Sequence, residues 1–265
     1  MSTIDTPVYR LSTGTLPLLI SIPHLGTQLP AELAAQMNPG AAVRQDTDWH
    51  LDRLYGFAVT MGASVLEARV SRYVIDLNRP PGGESLYPGQ TTTGLCPTET
   101  FRGEPLYRNG AGPDAAEQAR RLQAYWMPYH TALANELARL ETAHGTALLW
   151  DAHSIASVLP RLFDGKLPDL NFGTNGGQSC AADLIDRVAA VARESHFTHV
   201  VDGRFRGGYI TRHYGNPARH VHALQLEMCQ SIYMDEAPPF EYLEHKAAAV
   251  QPLLQNMLLA ALAGL

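Results

Sequence analysis

Three side chains of the types found around a hydrolytic metal ion lie where apolar runs of this sequence end. His24 follows "LLISIP", His153 follows "ALLWDA", and Glu227 lies at the end of "HALQLE". Imidazole and carboxylate are the ligands of hydrolytic zinc sites, in which two histidines and one carboxylate leave a fourth position for water. The three residues are far apart in the sequence, so they can act together only if the fold brings the ends of their runs to one place.

A third metal ligand must be found besides the two histidines. The polar segment 45–55, "QDTDWHLDRLY", is the candidate source of this acidic ligand. It supplies Asp46, Asp48, His50 and Asp52, of which we favour Asp48. The alternative is a structural role, since these aspartates could cap the helix that opens here and complement its dipole.

Each candidate also has an ordinary structural interpretation. His24 could be a buried, hydrogen-bonded histidine before a turn, and Glu227 could pair with an arginine. His153 is the stronger candidate because it directly follows a predicted strand. Asp151, two residues earlier, could point the same way and accept its ring N–H, as carboxylates do behind metal-bound histidines. The convergence of all these residues on strand ends is more persuasive than any one of them.

The segment 71–80, "SRYVIDLNRP", combines an apolar centre with charged and amide side chains. It carries Arg72, Asp76, Asn78 and Arg79 around the run Tyr-Val-Ile. We expect its aliphatic half to be a buried strand and its polar end to face an anionic ligand, with Asp76 orienting an arginine or capping the turn.

The apolar runs that must position these residues read as strands. They lack strict alternation, which indicates burial on both faces, and they span 16–23, 63–77, 146–152, 198–203 and 222–228. Helical patterns cover 113–145, which Pro128 should kink or divide, 179–195, and 240–265, which should be interrupted near Pro252. Strands alternating with helices predict an α/β fold with a largely parallel central sheet, whose ligands bind beyond the carboxyl ends of the strands.

We predict a single domain over 1–265, because no repeat or low-complexity linker divides the chain. The segment from 80 to 113 is too long and too rich in Gly, Pro and Thr to be a simple connection, and loops of this length are usually functional or disordered. We expect an active-site loop here, in which Thr91, Thr92, Thr93 and Gly94 could form a lid that excludes water.

Composition and charge exclude several classes of partner. The net charge is −6 and no cluster of Lys and Arg suggests nucleic acid or an anionic membrane, so a small polar partner is favoured.

The three cysteines lack CxxC spacing, which indicates neither a disulfide framework nor a thiolate zinc site and suits the cytoplasm. A leader-like N-terminus and a long apolar run are missing, which disfavours secretion and membrane spanning. HExxH, GxSxG and GxGxxG are missing too, and no pattern indicates an oligomeric state.

Seven ordered segments together resemble the N-formylglutamate amidohydrolases, the deformylases of bacterial histidine degradation. The resemblance runs from about Leu18 to the C-terminal helix, and it rests on "SIPHLG", "DTDWHLDRLY", "SRYVIDLNRP", "LYPGQTTTGL", "LLWDAHSI", "LFDGKLPDLNFGT" and "GGYITRHYGNPARHVHALQLEMCQSIYM". It implies a zinc-carboxypeptidase-like (phosphorylase/hydrolase-like) fold, a three-layer α/β/α sandwich with a mixed sheet of eight strands. It also implies metal-dependent hydrolysis of N-formyl-L-glutamate, a small anionic N-acyl amino acid, to formate and L-glutamate.

The resemblance further implies roles for individual residues. It makes His24 and His153 ligands of one divalent metal, with Zn²⁺ as the first choice, and Glu227 the base. In the same way, Arg72 would assist the polarised carbonyl, while Asn78 and Arg79 would hold a substrate carboxylate.

Two assignments do not transfer directly from the wider zinc carboxypeptidase group. That group places its acidic ligand three residues after the first histidine, where this chain has Thr27. Asp48 is therefore our choice for that ligand and Asp46 the reserve. The substrate's second carboxylate needs another planar cation, for which the segment 203–215 offers three arginines, with Arg212 preferred over Arg204 and Arg206.

Two other functions stay open at this point. The first is hydrolysis of another N-acyl amino acid by an aspartoacylase- or carboxypeptidase-like zinc enzyme. The second is a non-catalytic binding protein of the same fold, against which the candidate base, both histidines and the arginines argue.

Overall fold

The structure is a computed structural model that describes residues 7–110 and 112–265. The first six residues of the N-terminus that we interpreted as lacking a leader lie outside this range. Seven strands form one sheet in the described chain: β1 Tyr9–Ser12, β2 Leu18–Ile22, β3 Ser64–Ala68, β4 Ala147–Ile155, β5 Leu170–Gly173, β6 His199–Val201 and β7 Val221–Cys229.

The order of the strands in this sheet is β1-β3-β2-β4-β7-β5-β6. The pairs β2–β3, β2–β4, β4–β7 and β5–β6 are parallel, whereas β1–β3 and β5–β7 are antiparallel. A mixed, largely parallel sheet is thereby confirmed, with seven strands in the described residues rather than the eight that the resemblance implied. The central strands β2, β4 and β7 are buried along their whole length.

Helices cover both faces of the sheet. They are α1 Ala31–Ala34, α2 Leu51–Leu54, α3 Phe57–Met61, α4 Ala115–Arg121, α5 Met127–His144, α6 Ala182–Arg193, α7 Tyr209–Tyr214 and α8 Glu244–Leu262. Alternate residues of each central strand pack into different cores: Trp150 lies in the core with α2, α6 and α8, whereas Leu149 lies in the core with α5 and α7. This division confirms the three-layer α/β/α sandwich.

The sequence located most of the central elements correctly. The predicted strands at 16–23, 146–152, 198–203 and 222–228 correspond to β2, β4, β6 and β7, and the helix at 179–195 to α6. The sequence missed β1 and β5, which have four residues each. The helix at 113–145 is divided as expected: a π-helical turn, Leu122–Trp126, separates α4 from α5 just before Pro128.

Two predictions about these elements are wrong. The strand at 63–77 ends at Ala68, and residues 71–79 form a chain of turns without strand pairing. Tyr73, Val74 and Ile75 are nevertheless buried. An apolar run indicates that its residues are buried, but it does not indicate which backbone conformation they adopt. The second error concerns α8, which continues through Pro252 without interruption although the proline removes one helical hydrogen bond. Val250 and Leu254, on either side of Pro252, pack into the core.

Two further features of the described chain are the long loop and the cysteines. Between 80 and 113, the described residues contain a short 3₁₀ turn, Arg108–Gly110, and isolated β-bridges, but none of them belongs to a strand of the sheet. Cys96, Cys180 and Cys229 are free and buried. Among the helices described, none combines the length and apolarity that a bilayer crossing requires.

Candidate active site

Two histidines and an aspartate meet beyond the carboxyl ends of the central strands. His24 lies just after β2, Asp48 lies in the turn before α2, and His153 is in β4. One ligand atom from each lies within 4.8 Å of the others, and all three residues are buried. The turn that carries Asp48 is attached to the end of β2, because the Asp48 N–H donates to the His24 carbonyl oxygen at 3.1 Å.

The orientation of His24 follows from its two neighbours. Its Nδ1 accepts a hydrogen bond from Arg72 Nη1 at 3.2 Å, and a guanidinium has no lone pair to offer in return. The ring proton therefore lies on Nε2, which donates to Asp76 Oδ1 at 2.7 Å. This tautomer leaves the Nδ1 lone pair on the side of Asp48, whose Oδ2 is 3.7 Å away.

His153 is turned in the same way. Its Nδ1 lies 3.1 Å from Asp48 Oδ2, and its Nε2 lies 3.2 Å from Asp151 Oδ1 and 2.8 Å from Asn78 Nδ2. Burial alone would lower the pKa of His153, but the carboxylates of Asp151 and Asp48 outweigh it and hold that pKa well above its usual value. The ring therefore keeps a proton that a metal ion would displace.

Asp48 has the chemistry of a metal ligand. Burial would raise the pKa of its carboxyl, but the hydrogen bond with His153 Nδ1 and the nearby His24 ring hold that pKa below its usual range, so the group is ionised. Its Oδ1 is buried and has no hydrogen-bond partner. Each histidine turns Nδ1 towards this carboxylate, and His24 Nε2 donates to Asp76 Oδ1, which is the arrangement found behind metal-bound histidines. His153 Nε2 has Asp151 Oδ1 within 3.2 Å. These residues therefore fit one divalent ion.

Asp46, the reserve for the acidic ligand, points elsewhere. Its Oδ2 accepts the Phe101 N–H at 2.9 Å, and it is not in the group of residues whose ligand atoms meet. Burial raises the pKa of this carboxyl to about 6. The geometry therefore favours Asp48 as the acidic ligand and gives Asp46 a structural role.

Glu227 faces the same cavity as the histidines. It pairs with His153 in the register of β7 against β4, and directly paired residues project from the same face of a sheet. Burial raises the pKa of its carboxyl to about 8. The cavity has a volume of about 70 Å³, and its walls include His24, His153, Glu227, Arg72 and Arg79.

Residues 16–234 of this chain match the sequence model of the N-formylglutamate amidohydrolases. The chain belongs to this family. It is 51% identical to N-formylglutamate deformylases of Pseudomonas aeruginosa and Pseudomonas putida, over 97% of this chain and 96% of each relative.

Solved structures are similar as well. An N-formylglutamate amidohydrolase from Ralstonia eutropha matches with a TM-score of 0.80 and 26% identity, over 96% of both chains. A protein of Agrobacterium tumefaciens shares the fold, with a TM-score of 0.74 at 16% identity, over 98% of this chain and 96% of that one.

Arg72 lies beside the candidate metal-binding group in this member of the family, with its guanidinium 3.2 Å from His24 Nδ1. Its guanidinium is buried, donates to Asp76 Oδ2 at 2.8 Å and lies 3.7 Å from Asp48 Oδ1. Asp76 therefore joins Arg72 to His24, because it accepts hydrogen bonds from both side chains. Arg72 is therefore held at the edge of the cavity, next to the place where a metal ion would be bound.

Asn78 and Arg79 both line the cavity, but they differ in how much of the side chain is free for a ligand. The Asn78 amide contacts His153 Nε2 and Asp151 Oδ2 through Nδ2, and its Oδ1 accepts the Ile210 N–H at 2.8 Å. Its hydrogen-bonding capacity is thus used within the protein. The Arg79 guanidinium donates to the carbonyl and hydroxyl oxygens of Thr93, which connects it to the long loop.

The three arginines of 203–215 are not equivalent in this amidohydrolase fold. Arg204 lines the cavity together with Thr91, Thr92 and Thr93, and its Nη2 donates to the Thr91 carbonyl oxygen. Arg212, our preferred residue, is not among the lining residues: its Nε donates to the Gly207 carbonyl oxygen and its guanidinium lies 4.8 Å from the centre of the Tyr87 ring. The Arg206 side chain donates to the Asp202 carbonyl oxygen.

Sequence reasoning missed other walls of the cavity, among them Phe101, Ile155, Phe205 and Gln225. Gln225 precedes Glu227 by two residues on the same face of β7, a spacing that could have identified it. Phe101 and Phe205 come from loops, where no periodicity indicates which side chains turn inward. The lid that we expected from Thr91 to Gly94 stays a prediction, although three of these residues line the cavity.

Proposed function

We propose that the chain hydrolyses N-formyl-L-glutamate to formate and L-glutamate, using a divalent metal held by His24, Asp48 and His153. The observation that carries the proposal is the buried His–Asp–His group, whose two histidines line the same cavity as Glu227 and three arginines. Its relatives named N-formylglutamate deformylase, which are half identical over nearly the whole chain, support the choice of substrate.

The cleavage needs a base, and Glu227 has the position for that role. When bound here, a divalent ion would supply Lewis-acid polarisation of the formyl carbonyl and a lower pKa for the attacking water. Glu227 takes the proton from the attacking water and returns it to the amine nitrogen as the C–N bond breaks. The water oxygen is retained in formate, and the protonated amine leaves as L-glutamate.

Arg72 faces the carbonyl oxygen in this proposal. The oxygen gains negative charge as water adds, and a fixed donor at that point is commonly worth about 3 kcal/mol. Asp76 holds the guanidinium in place through a 2.8 Å hydrogen bond, so little reorganisation is required. Asn78 acts as a positioning residue, because its amide contacts His153 and Asp151.

The two carboxylates of the substrate bind Arg79 and Arg204 in this proposal. Both guanidinium groups line the cavity, and each also contacts the loop segment 91–93 through its oxygens. We assign Arg204 rather than Arg212 to the second carboxylate because only Arg204 reaches the cavity wall.

We predict that Arg204→Gln raises KM and lowers kcat/KM by about 10- to 100-fold, the loss expected for a charge-assisted hydrogen bond in a site. Arg212→Gln is the matched control, and it should lower kcat/KM by less than the Arg204 variant. Steady-state kinetics on N-formyl-L-glutamate measure both. A larger loss in the Arg212 variant would return the second carboxylate to Arg212.

The substrate panel tests the proposed function directly. We expect free amine to appear fastest from N-formyl-L-glutamate, and more slowly or not at all from N-acetyl-L-glutamate, N-succinyl-L-glutamate and N-formyl-L-aspartate. No hydrolysis of the formyl compound by metal-loaded protein would reject the proposal. A binding protein of the same fold would show no hydrolysis of any compound when metal is returned to stripped protein.

We further propose Zn²⁺ as the metal and the cytoplasm as the location. Two imidazoles and one carboxylate form a donor set that zinc uses in hydrolytic sites, although manganese, cobalt and iron accept the same ligands. Elemental analysis of protein purified without added metal distinguishes among these ions. Free, buried cysteines suit a reducing compartment.

A further inference from the structure

A second cavity lies directly behind the first. It has a volume of about 310 Å³, more than four times that of the cavity at the metal ligands. The two cavities share Phe101, Ser154 and Ile155 as a common wall. The second cavity reaches the surface at Arg102 and Pro238, which are exposed.

The Phe101 side chain stands at the Arg72 end of the first cavity. The Arg72 guanidinium lies 4.5 Å from the centre of the Phe101 ring, and the same guanidinium contacts His24 Nδ1. Arg79, Arg204 and the segment 91–93 form a different part of the wall, joined to one another by hydrogen bonds. The cavity thus has a cationic region for carboxylates and a separate region, at Arg72 and Phe101, for the carbonyl.

A bound N-acyl amino acid is oriented by these two regions. Its carboxylates are drawn to Arg79 and Arg204, and its carbonyl oxygen to Arg72. The acyl substituent on the carbonyl carbon points away from the amino acid, because the carbonyl carbon is bonded to the nitrogen on one side and to that substituent on the other. In a formyl group this substituent is a hydrogen atom, whereas any longer acyl chain would project towards Phe101.

We propose that Phe101 determines the acyl-group specificity of this site by closing it off from the second cavity. The proposal rests on the proposed function, since it assumes hydrolysis at the His–Asp–His group. Phe101 is 8% exposed, and the peptide bond before it is held by two hydrogen bonds: the Phe101 N–H donates to Asp46 Oδ2, and the Thr100 carbonyl oxygen accepts from Arg161 Nη1. A wall held in this way cannot yield easily to an extra methyl group.

Shortening this side chain should join the two cavities and admit longer acyl groups. The apolar residues beyond the wall, Ala156, Leu159 and Phe240, would then contact the chain of an acetyl or propionyl group. One methyl or methylene group in an apolar pocket typically changes discrimination by about 10- to 200-fold. A change of that size is large enough to measure.

The experiment compares kcat/KM for N-formyl-, N-acetyl- and N-propionyl-L-glutamate in wild type, Phe101→Ala and Phe101→Leu. We expect the acetyl-to-formyl and propionyl-to-formyl ratios to rise by about 10-fold or more in Phe101→Ala, and by less in Phe101→Leu. The ratio cancels any general loss that follows from removing the ring next to Arg72. Thermal unfolding of each variant checks that it is folded, and the leucine variant provides the test if alanine prevents folding.

Leu162→Ala is the matched control. Leu162 lines the first cavity but not the second, and its carbonyl oxygen accepts from Arg204 Nε. The substitution therefore enlarges the site at the carboxylate region. We expect its acyl ratios to stay near wild type. Folded Phe101 variants that cleave the formyl substrate with unchanged acyl ratios would overturn the proposal and leave the deformylase function intact, whereas wild type inactive on the formyl substrate would remove the deformylase function itself.

Discussion

Glu227→Gln should lower kcat on N-formyl-L-glutamate by about 10²- to 10⁴-fold, the usual contribution of a positioned general base, while the bound metal is retained. The amide is nearly the same size as the carboxyl group but cannot accept and return a proton. Glu227 is separate from the three residues whose ligand atoms meet, so its replacement leaves the metal ligands in place. Turnover and elemental analysis on the same preparation measure both effects.

Glu67→Gln is a matched control for this substitution. Glu67 is a buried glutamate of β3 that pairs with Arg10, away from the cavity of the metal ligands. Its replacement should cost some stability and leave kcat near wild type. Near-normal turnover in the Glu227 variant with metal bound would show that another group acts as the base.

The pH profile gives the Glu227 variant a second readout. Burial raises the pKa of Glu227 to about 8 in the protein without metal, and a nearby dication lowers the pKa of a carboxyl by favouring its charged form. A base must be deprotonated to act, so wild-type kcat/KM should rise with pH through the Glu227 pKa, at a value below about 8. We expect this acidic limb to be lost in Glu227→Gln.

Much of the site was predictable from the sequence because the strands that carry it are buried on both faces. A continuous apolar run identifies β2, β4 and β7, and polar side chains at the carboxyl end of such a strand lie at the edge of the sheet where ligands bind. His24, His153 and Glu227 were found in this way, and the structure brings all three to one cavity.

The rest of the site depends on contacts that a sequence pattern does not encode. Asp48 reaches the histidines because its turn is hydrogen-bonded to the His24 carbonyl oxygen, a contact between segments more than twenty residues apart. Arg72, Asn78 and Arg79 lie on a buried loop rather than on the end of a strand, so alternation could not indicate their directions. The choice between Arg204 and Arg212 likewise depends on how loop 203–208 and α7 turn their side chains.

Replacement of Asp48, the proposed acidic ligand, should have the other large effect. We expect Asp48→Asn to weaken metal binding by more than the roughly 10- to 100-fold typical of residues behind the ligands, and to abolish measurable turnover at limiting metal. The amide lacks the negative charge that lies between the two imidazole Nδ1 atoms, 3.1 Å from His153 and 3.7 Å from His24. Titration against a competing chelator measures the change in affinity.

Asp46→Asn is the control that separates the two candidate ligands. Its amide oxygen can still accept the Phe101 N–H that Asp46 Oδ2 accepts now, so we expect metal affinity close to wild type. Thermal unfolding supplies a readout that does not depend on activity, because an ion that binds only the folded state raises the melting temperature as its concentration rises. Wild type and Asp46→Asn should show this rise with added Zn²⁺, and Asp48→Asn should not. If instead the Asp46 variant lost the rise and the Asp48 variant kept it, the acidic ligand would be Asp46, and the buried, unpartnered Oδ1 of Asp48 would need a different explanation.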